Sequence, residues 1–168
     1  MALVLVSDTS VLIDLERGDV IEAAFQCGHE LAVPDILYER ELKPYNGKQL
    51  IKLGLRRVRL EGAGLQKAVE YQRRERRISL SDSLALVIAK QEGSTLLTGD
   101  AALRALAEAE AVECHGLLWL FDVFEEKKVL TRTELHVALS KIAAHPRCRL
   151  PKRLITERLA LYAGRAKR

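Results

Sequence analysis

Apolar and polar positions change period several times along the chain, and each change marks an element. Ala2–Val6 is a short, uninterrupted apolar run, which predicts a strand buried on both faces. From Ser10 the spacing turns helical until Gly18, and a second short helix is predicted over Asp19–Cys27. Leu31–Val33 predicts a second strand, and Pro34 suits the first turn of a helix running towards Leu42. Lys43–Leu55, broken by Pro44, Asn46, Gly47 and Gly54, reads as loop with a short helix around Gln49–Leu53. Leu55–Leu60 alternates apolar residues with arginines, as a strand near the sheet edge would. Gly64–Arg76 predicts an amphipathic helix with a basic side, and Leu80–Gln91, apolar nearly all round, predicts a buried one.

Ser94–Thr98 and Val112–Cys114 predict two further strands around an alanine-rich helix, Ala101–Ala111. Helices are then predicted over Leu117–Lys127, Thr133–Ala144 and Lys152–Ala163. Alternating strands and helices imply an α/β fold, a mostly parallel sheet covered on both faces. Residues 1–116 form the expected core, and 117–168 a helical C-terminal extension that continues it or offers a partner surface.

Composition narrows the class. At 168 residues, 48% hydrophobic and 30% charged, the chain suits one globular domain. Cys27, Cys114 and Cys148 share no C-x-x-C spacing, so neither a disulfide framework nor a zinc site is indicated. The opening residues lack the basic flank of a signal peptide, and no apolar run approaches the ~20 residues needed to span a bilayer. A cytoplasmic protein without a membrane partner is expected. The net charge of +4 is unevenly spread, with arginines bunched at Arg56, Arg57 and Arg59, at Arg73, Arg74, Arg76 and Arg77, and from Arg147 to Arg153. Such clusters suit a polyanion, although exposed arginines also serve ordinary ion pairs.

The chemistry lies in four acids. Asp8 and Asp100 each follow a predicted strand, and ligands of open α/β sheets bind at the carboxyl ends of strands. Asp82 opens the helix leading into the second of those strands. Each aspartate alone is explained as a helix cap, Asp82 by its capping-box spacing from Ser79. Three caps on one rim are better explained by a hard cation, since gathered carboxylates repel one another. Glu39 joins them through helical spacing: Ile36 and Leu42 lie three residues to either side, which puts its stem in an apolar row. Glu41 is the competing choice.

The segments V-S-D-T-S-V-L-I, V-P-D-I-L-Y-E-R-E-L, I-S-L-S-D-S-L-A-L-V-I-A and L-L-T-G-D-A-A-L-R resemble, in order and spacing, the PIN-domain proteins that include VapC-type ribonuclease toxins. The resemblance runs from about Leu3 to Gly116. It implies a Rossmann-like three-layer α/β/α sandwich and a Mg²⁺- or Mn²⁺-dependent endoribonuclease leaving 5′-phosphate and 3′-hydroxyl ends. One or two ions would be held by Asp8, Asp82 and Asp100, with Glu39 contributing directly or through water. The hydroxyls of Ser10 and Thr98 would orient the acids, and Arg73, Arg74, Arg76 and Arg77 would contact RNA phosphates. Relatives often carry a further acid or asparagine three or four residues after the last aspartate; here that stretch is Ala101, Ala102, Leu103 and Arg104. The resemblance also implies a cognate antitoxin and a homodimer as partners, with the protein acting as the toxin of a type II pair.

Two alternatives stand beside this reading. Haloacid-dehalogenase-type phosphatases also open on a strand and an aspartate, but their second aspartate is replaced here by Ser10. A PIN-like module that binds RNA or protein with little or no cleavage is the stronger competitor.

Overall fold

A computed structural model describes residues 3–164, so Ala2, at the start of the first expected strand, lies outside the described residues. Five strands form one sheet: β1 (Val4–Ser7), β2 (Glu30–Pro34), β3 (Arg56–Val58), β4 (Thr95–Leu97) and β5 (Cys114–His115). Their order is β3-β2-β1-β4-β5, and every neighbouring pair is parallel. Side chains alternate across the pleat. Leu5, Leu31, Val33 and Leu97 enter one core, while Val6, Ala32 and Leu96 enter the other. Both faces are covered, which is why these strands read as continuous apolar runs. The two layers of helices and the sheet between them make the expected α/β sandwich.

On the first face lie α1 (Thr9–Arg17), the short α2 (Ile21–Ala24), α3 (Asp35–Leu37), α4 (Gly47–Leu53), α8 (Leu117–Glu126) and α9 (Arg132–Ala144). α5 (Ala63–Arg74), α6 (Leu80–Glu92) and α7 (Ala101–Ala109) cover the second. α6 is as buried as its composition demands, with Ser81 and every residue from Ser83 to Ala89 enclosed, and its carboxyl end stops at Gly93 in the left-handed region.

The C-terminal helices are built into the first core. Phe121 and Phe124 of α8 are fully buried against one another and against the α1 side of the sheet. Each contributes roughly 2 kcal/mol of apolar burial. α9 comes so close to the end of α1 that a Cβ on Gly18 would lie 2.9 Å from Ile142 Cδ1. α10 (Lys152–Tyr162) buries little beyond Tyr162 and is tied down by Arg158, whose guanidinium donates to both oxygens of Asp122, at 2.6 and 3.0 Å. Among the described residues no helix is long and apolar enough to cross a membrane.

Several elements differ from expectation. The helix expected over Asp19–Cys27 shrinks to Ile21–Ala24, because Asp19 takes a left-handed φ of 57°. The strand expected to reach Leu60 ends at Val58, and the last strand slides from Val112–Cys114 to Cys114–His115. The largest local difference follows Pro34. α3 is α-helical only to Leu37 and continues as a π-helical turn, Tyr38–Leu42, closed by the Lys43 N–H on the Tyr38 carbonyl at 2.8 Å. That turn takes one residue more than an α-helical turn, so it rotates every side chain after Tyr38.

Candidate active site

The sheet order reverses between β1 and β4, and the crevice at such a switch point is where α/β sheets bind ligands. Ser7 of β1 lies opposite Leu97 of β4, and the Asp8 N–H donates to the Leu97 carbonyl at 3.0 Å. Asp8 and Thr98 therefore end neighbouring strands side by side. Asp8 is 2% exposed. Its Oδ1 accepts from Ser10 Oγ at 2.8 Å and from the Val11 N–H at 3.1 Å, and its Oδ2 accepts from Thr98 Oγ1. Thr98 Oγ1 in turn accepts from the Asp100 N–H at 3.0 Å, so one hydroxyl joins the two aspartates.

Asp8 caps α1, Asp100 caps α7 through the Leu103 N–H at 2.8 Å, and Asp82 completes a capping box with Ser79 at the start of α6. The capping explanation is thus physically real for all three aspartates. It leaves out their electrostatics. Burial pushes the Asp8 carboxyl up to about 6, its three hydrogen bonds pull the other way, and the Asp82 charge adds to the rise. Burial also raises Asp82, with Asp100 and Glu41 adding to it against the Ser79 hydrogen bonds. Among the described residues none of Asp8, Glu41, Asp82 or Asp100 has a cationic side chain within 4.0 Å, although most other acids of the chain do.

The structure does not bring Glu39 to this group. Its carboxylate is exposed and taken by Lys43 Nζ at 3.0 Å and Arg57 Nη2 at 2.7 Å, the Lys43 hydrogen bond doing most to lower its pKa. Arg57 is itself stacked over the Tyr38 ring at 4.3 Å and paired with Asp35. An apolar row through Ile36, Glu39 and Leu42 requires an α-helical turn; in the π-helical turn Glu39 falls outward, while the half-buried Glu41 is the glutamate whose charge reaches Asp82.

The four arginines also separate. Arg74 is drawn to Glu110 at the carboxyl end of α7, at 3.1 Å, roughly 15 Å of helix away from Asp100. Arg73 and Arg76 are exposed, with no carboxylate within 4.0 Å among the described residues. Arg77 is the one that feels Asp100: Glu75 holds its guanidinium in a two-pronged pair at 2.8 Å on each arm, and Asp100 adds to the rise in its pKa.

A family model described as PIN domain matches residues 4–163. The chain belongs to the PIN-domain family. The match continues through α8, α9 and α10, beyond the four acidic segments. No curated protein matches the chain. PIN domains are generally nucleases and usually bind divalent metal ions.

The donors of this PIN domain fit such an ion chemically: they are all carboxylates, the ligands hard dications prefer. Asp8 accepts three hydrogen bonds of the roughly four a carboxylate can take, leaving acceptor capacity on Oδ2. The fit is one of chemistry alone: among the described residues no three His, Cys, Asp or Glu side chains are gathered tightly enough to hold an ion.

Proposed function

We propose that this PIN domain is a metal-dependent endoribonuclease, with Asp8, Asp82, Asp100 and Glu41 as its acids. The observation that carries this reading is the buried, ion-pair-free Asp8, raised to about 6 amid further unpaired carboxylates on a nuclease-like fold. A carboxylate kept that uncomfortable costs stability unless a cation arrives.

Mg²⁺ or Mn²⁺ would be held by Asp8, Asp82 and Asp100 and would supply Lewis acidity at the scissile phosphate. The protein's own part is positional. Ser10, Thr98 and the Val11 N–H fix the Asp8 carboxylate, and Thr98 transmits that position to Asp100. Glu41, half-buried and unpaired, is suited to accept the proton of the attacking water. Water attacks phosphorus as the bond to the 3′ oxygen breaks, and the departing 3′ oxygen takes a proton from solvent, leaving a 5′-phosphate and a 3′-hydroxyl. Arg77, pre-set by Glu75, contributes phosphate attraction beside Asp100.

Cleavage of end-labelled RNA in Mg²⁺ or Mn²⁺, compared with Asp8→Asn and Asp100→Asn, tests the reading. Cleavage that survives both substitutions would belong to another site or a contaminant. That the acids are not gathered into a metal-holding group among the described residues favours one competitor, a module that binds RNA or protein without turnover; wild-type protein that binds RNA but never cleaves it would establish that instead. The toxin role, with a small antitoxin covering the acids or the half-buried apolar side chains of α10, is part of the same proposal. An adjacent reading frame whose product binds the protein and blocks cleavage would support it.

A further inference from the structure

Three arginines among the described residues are half-buried and invite comparison: Arg17, Arg104 and Arg158. Arg17 pairs with Asp14 at 3.4 Å and Arg158 with Asp122 at 2.6 Å. Arg104 has no carboxylate within 4.0 Å among the described residues, and its recorded side-chain hydrogen bond runs from Nη2 to the backbone carbonyl of Thr98 at 3.2 Å. A guanidinium has five N–H donors in a planar fork shaped for carboxylate or phosphate. Half-burying it against one neutral acceptor leaves most of that capacity unspent.

Its location is specific. Thr98 ends β4; its hydroxyl donates to Asp8 and accepts from the Asp100 N–H, while its carbonyl holds Arg104. Arg104 also stands four residues after Asp100 on α7, one helical turn along the same face. That spacing ordinarily gives an ion pair, but Asp100 is occupied in capping Leu103 and Arg104 is turned to Thr98. Thr98 thus bonds both the guanidinium and the buried acid, and the charges of Arg104 and Asp8 act on the Cys114 thiol in opposite directions. Gly116 keeps the space open, since a Cβ there would lie 3.2 Å from Arg104 Nη2.

We infer that Arg104 binds the substrate's phosphate, its free N–H groups taking non-bridging oxygens of the RNA backbone beside the acid group. This rests on the nuclease reading and deepens it: a fixed cation at the end of β4 supplies part of the positive charge that a polyanion needs to approach four carboxylates. The neutral alternative is that Arg104 only satisfies the Thr98 carbonyl, left over where the β4–β5 ladder ends.

Fluorescence anisotropy with a labelled single-stranded RNA 12-mer in EDTA separates the two without any turnover. Arg104→Gln is expected to weaken binding about three- to tenfold and to flatten the log–log salt dependence by about 0.7–1. Arg104→Lys should restore the slope but not the full affinity. Gly116→Ala keeps the charge while crowding Nη2, and should lower affinity with little change in slope; it serves as the test if Arg104→Gln does not fold. Lys52→Gln, exposed at the end of α4 just before the amino end of β3, should leave binding unchanged. If Arg104→Gln and Gly116→Ala bind RNA as tightly and as salt-dependently as the wild type while Arg104→Gln unfolds several degrees lower, Arg104 is only a cap. Wild-type cleavage in Mg²⁺, measured alongside, tells the failures apart: active protein with unaffected variants overturns this inference alone, whereas wild type that neither binds nor cleaves RNA overturns the nuclease reading with it.

Discussion

Asp8 and Glu110 sit at opposite kinds of helix end and have opposite fates. Asp8 caps the amino end of α1, where the helix dipole favours an anion, yet its pKa is pushed up to about 6. Glu110 closes the carboxyl end of α7, where the dipole disfavours an anion, yet its pKa is pulled down to about 2. Counter-charge decides. Glu110 receives Lys90 at 2.6 Å, the Tyr71 hydroxyl at 2.9 Å and Arg74 at 3.1 Å. Among the described residues Asp8 receives only neutral donors, and it is almost wholly withdrawn from water. One carboxylate binds α5, α6 and α7 together; the other is buried with no counter-charge within 4.0 Å among the described residues.

The sharpest way to break this contrast is to remove the Asp8 charge. Asp8→Asn should cut Mg²⁺-dependent RNA cleavage by about a thousandfold or more, while the metal-free protein at pH 8 stays at least as stable as the wild type. A large loss of thermal stability with intact cleavage would instead make Asp8 a plain cap.

pH gives the next largest effect. The folded pKa of Asp8 is raised from 3.8 to about 6, so the folded state holds the proton more tightly. Its contribution to stability is present below about pH 4 and is lost as pH rises to about 6 and beyond, a loss on the order of 2–3 kcal/mol. A dication bound to the ionised form offsets that loss. Calorimetry should therefore find Mg²⁺ or Mn²⁺ raising Tm clearly at pH 8 and hardly at pH 5, with the shift missing in Asp8→Asn. An equal shift at both pH values would mean that the ion binds elsewhere.

Glu39 and Glu41 repeat the contrast within one turn. Glu39 has Lys43 and Arg57; Glu41 is half-buried, has no cationic side chain within 4.0 Å among the described residues, and adds its charge to the rise at Asp82. Glu41→Gln should lower kcat by roughly ten- to a hundredfold, and Glu39→Gln by less than about twofold. The reverse ranking, in single-turnover assays at saturating metal, would return the role to Glu39.

Much of this was legible without coordinates. Strand ends, helix starts and the buried face of α6 follow from period and capping chemistry, because those signals are local and each residue answers to its neighbours. Asp8, Asp82 and Asp100 lie at element boundaries that the chain itself marks. Glu39 did not fit, since a π-helical turn leaves no mark in hydrophobic spacing: Tyr38 and Leu42 are buried in it as they would be in an α-helix. Only the partners, Lys43 and Arg57, show which way the glutamate turned, and Arg57 comes from β3, 18 residues along the chain. The arginine run from Arg73 to Arg77 is divided for a similar reason. Its members look alike in sequence, yet Glu110 claims one and Glu75 another.

The smallest predicted effect isolates the structural half of the comparison. Glu110→Gln removes the anion shared by Lys90 and Arg74 and leaves two cations facing each other across α5 and α6. It should cost about 1 kcal/mol at neutral pH, a few degrees in Tm, since the pairs are partly solvated. Because the Glu110 pKa is depressed from 4.5 to about 2, the wild-type advantage should be complete above pH 4.5 and fade as pH falls towards 2. That sign is opposite to the one expected for Asp8. RNA cleavage at pH 8 should not change, because Glu110 lies a whole helix away from Asp100. If Glu110→Gln lowers cleavage without lowering Tm, the division between an acid that holds the fold and acids that hold the ligand is drawn in the wrong place.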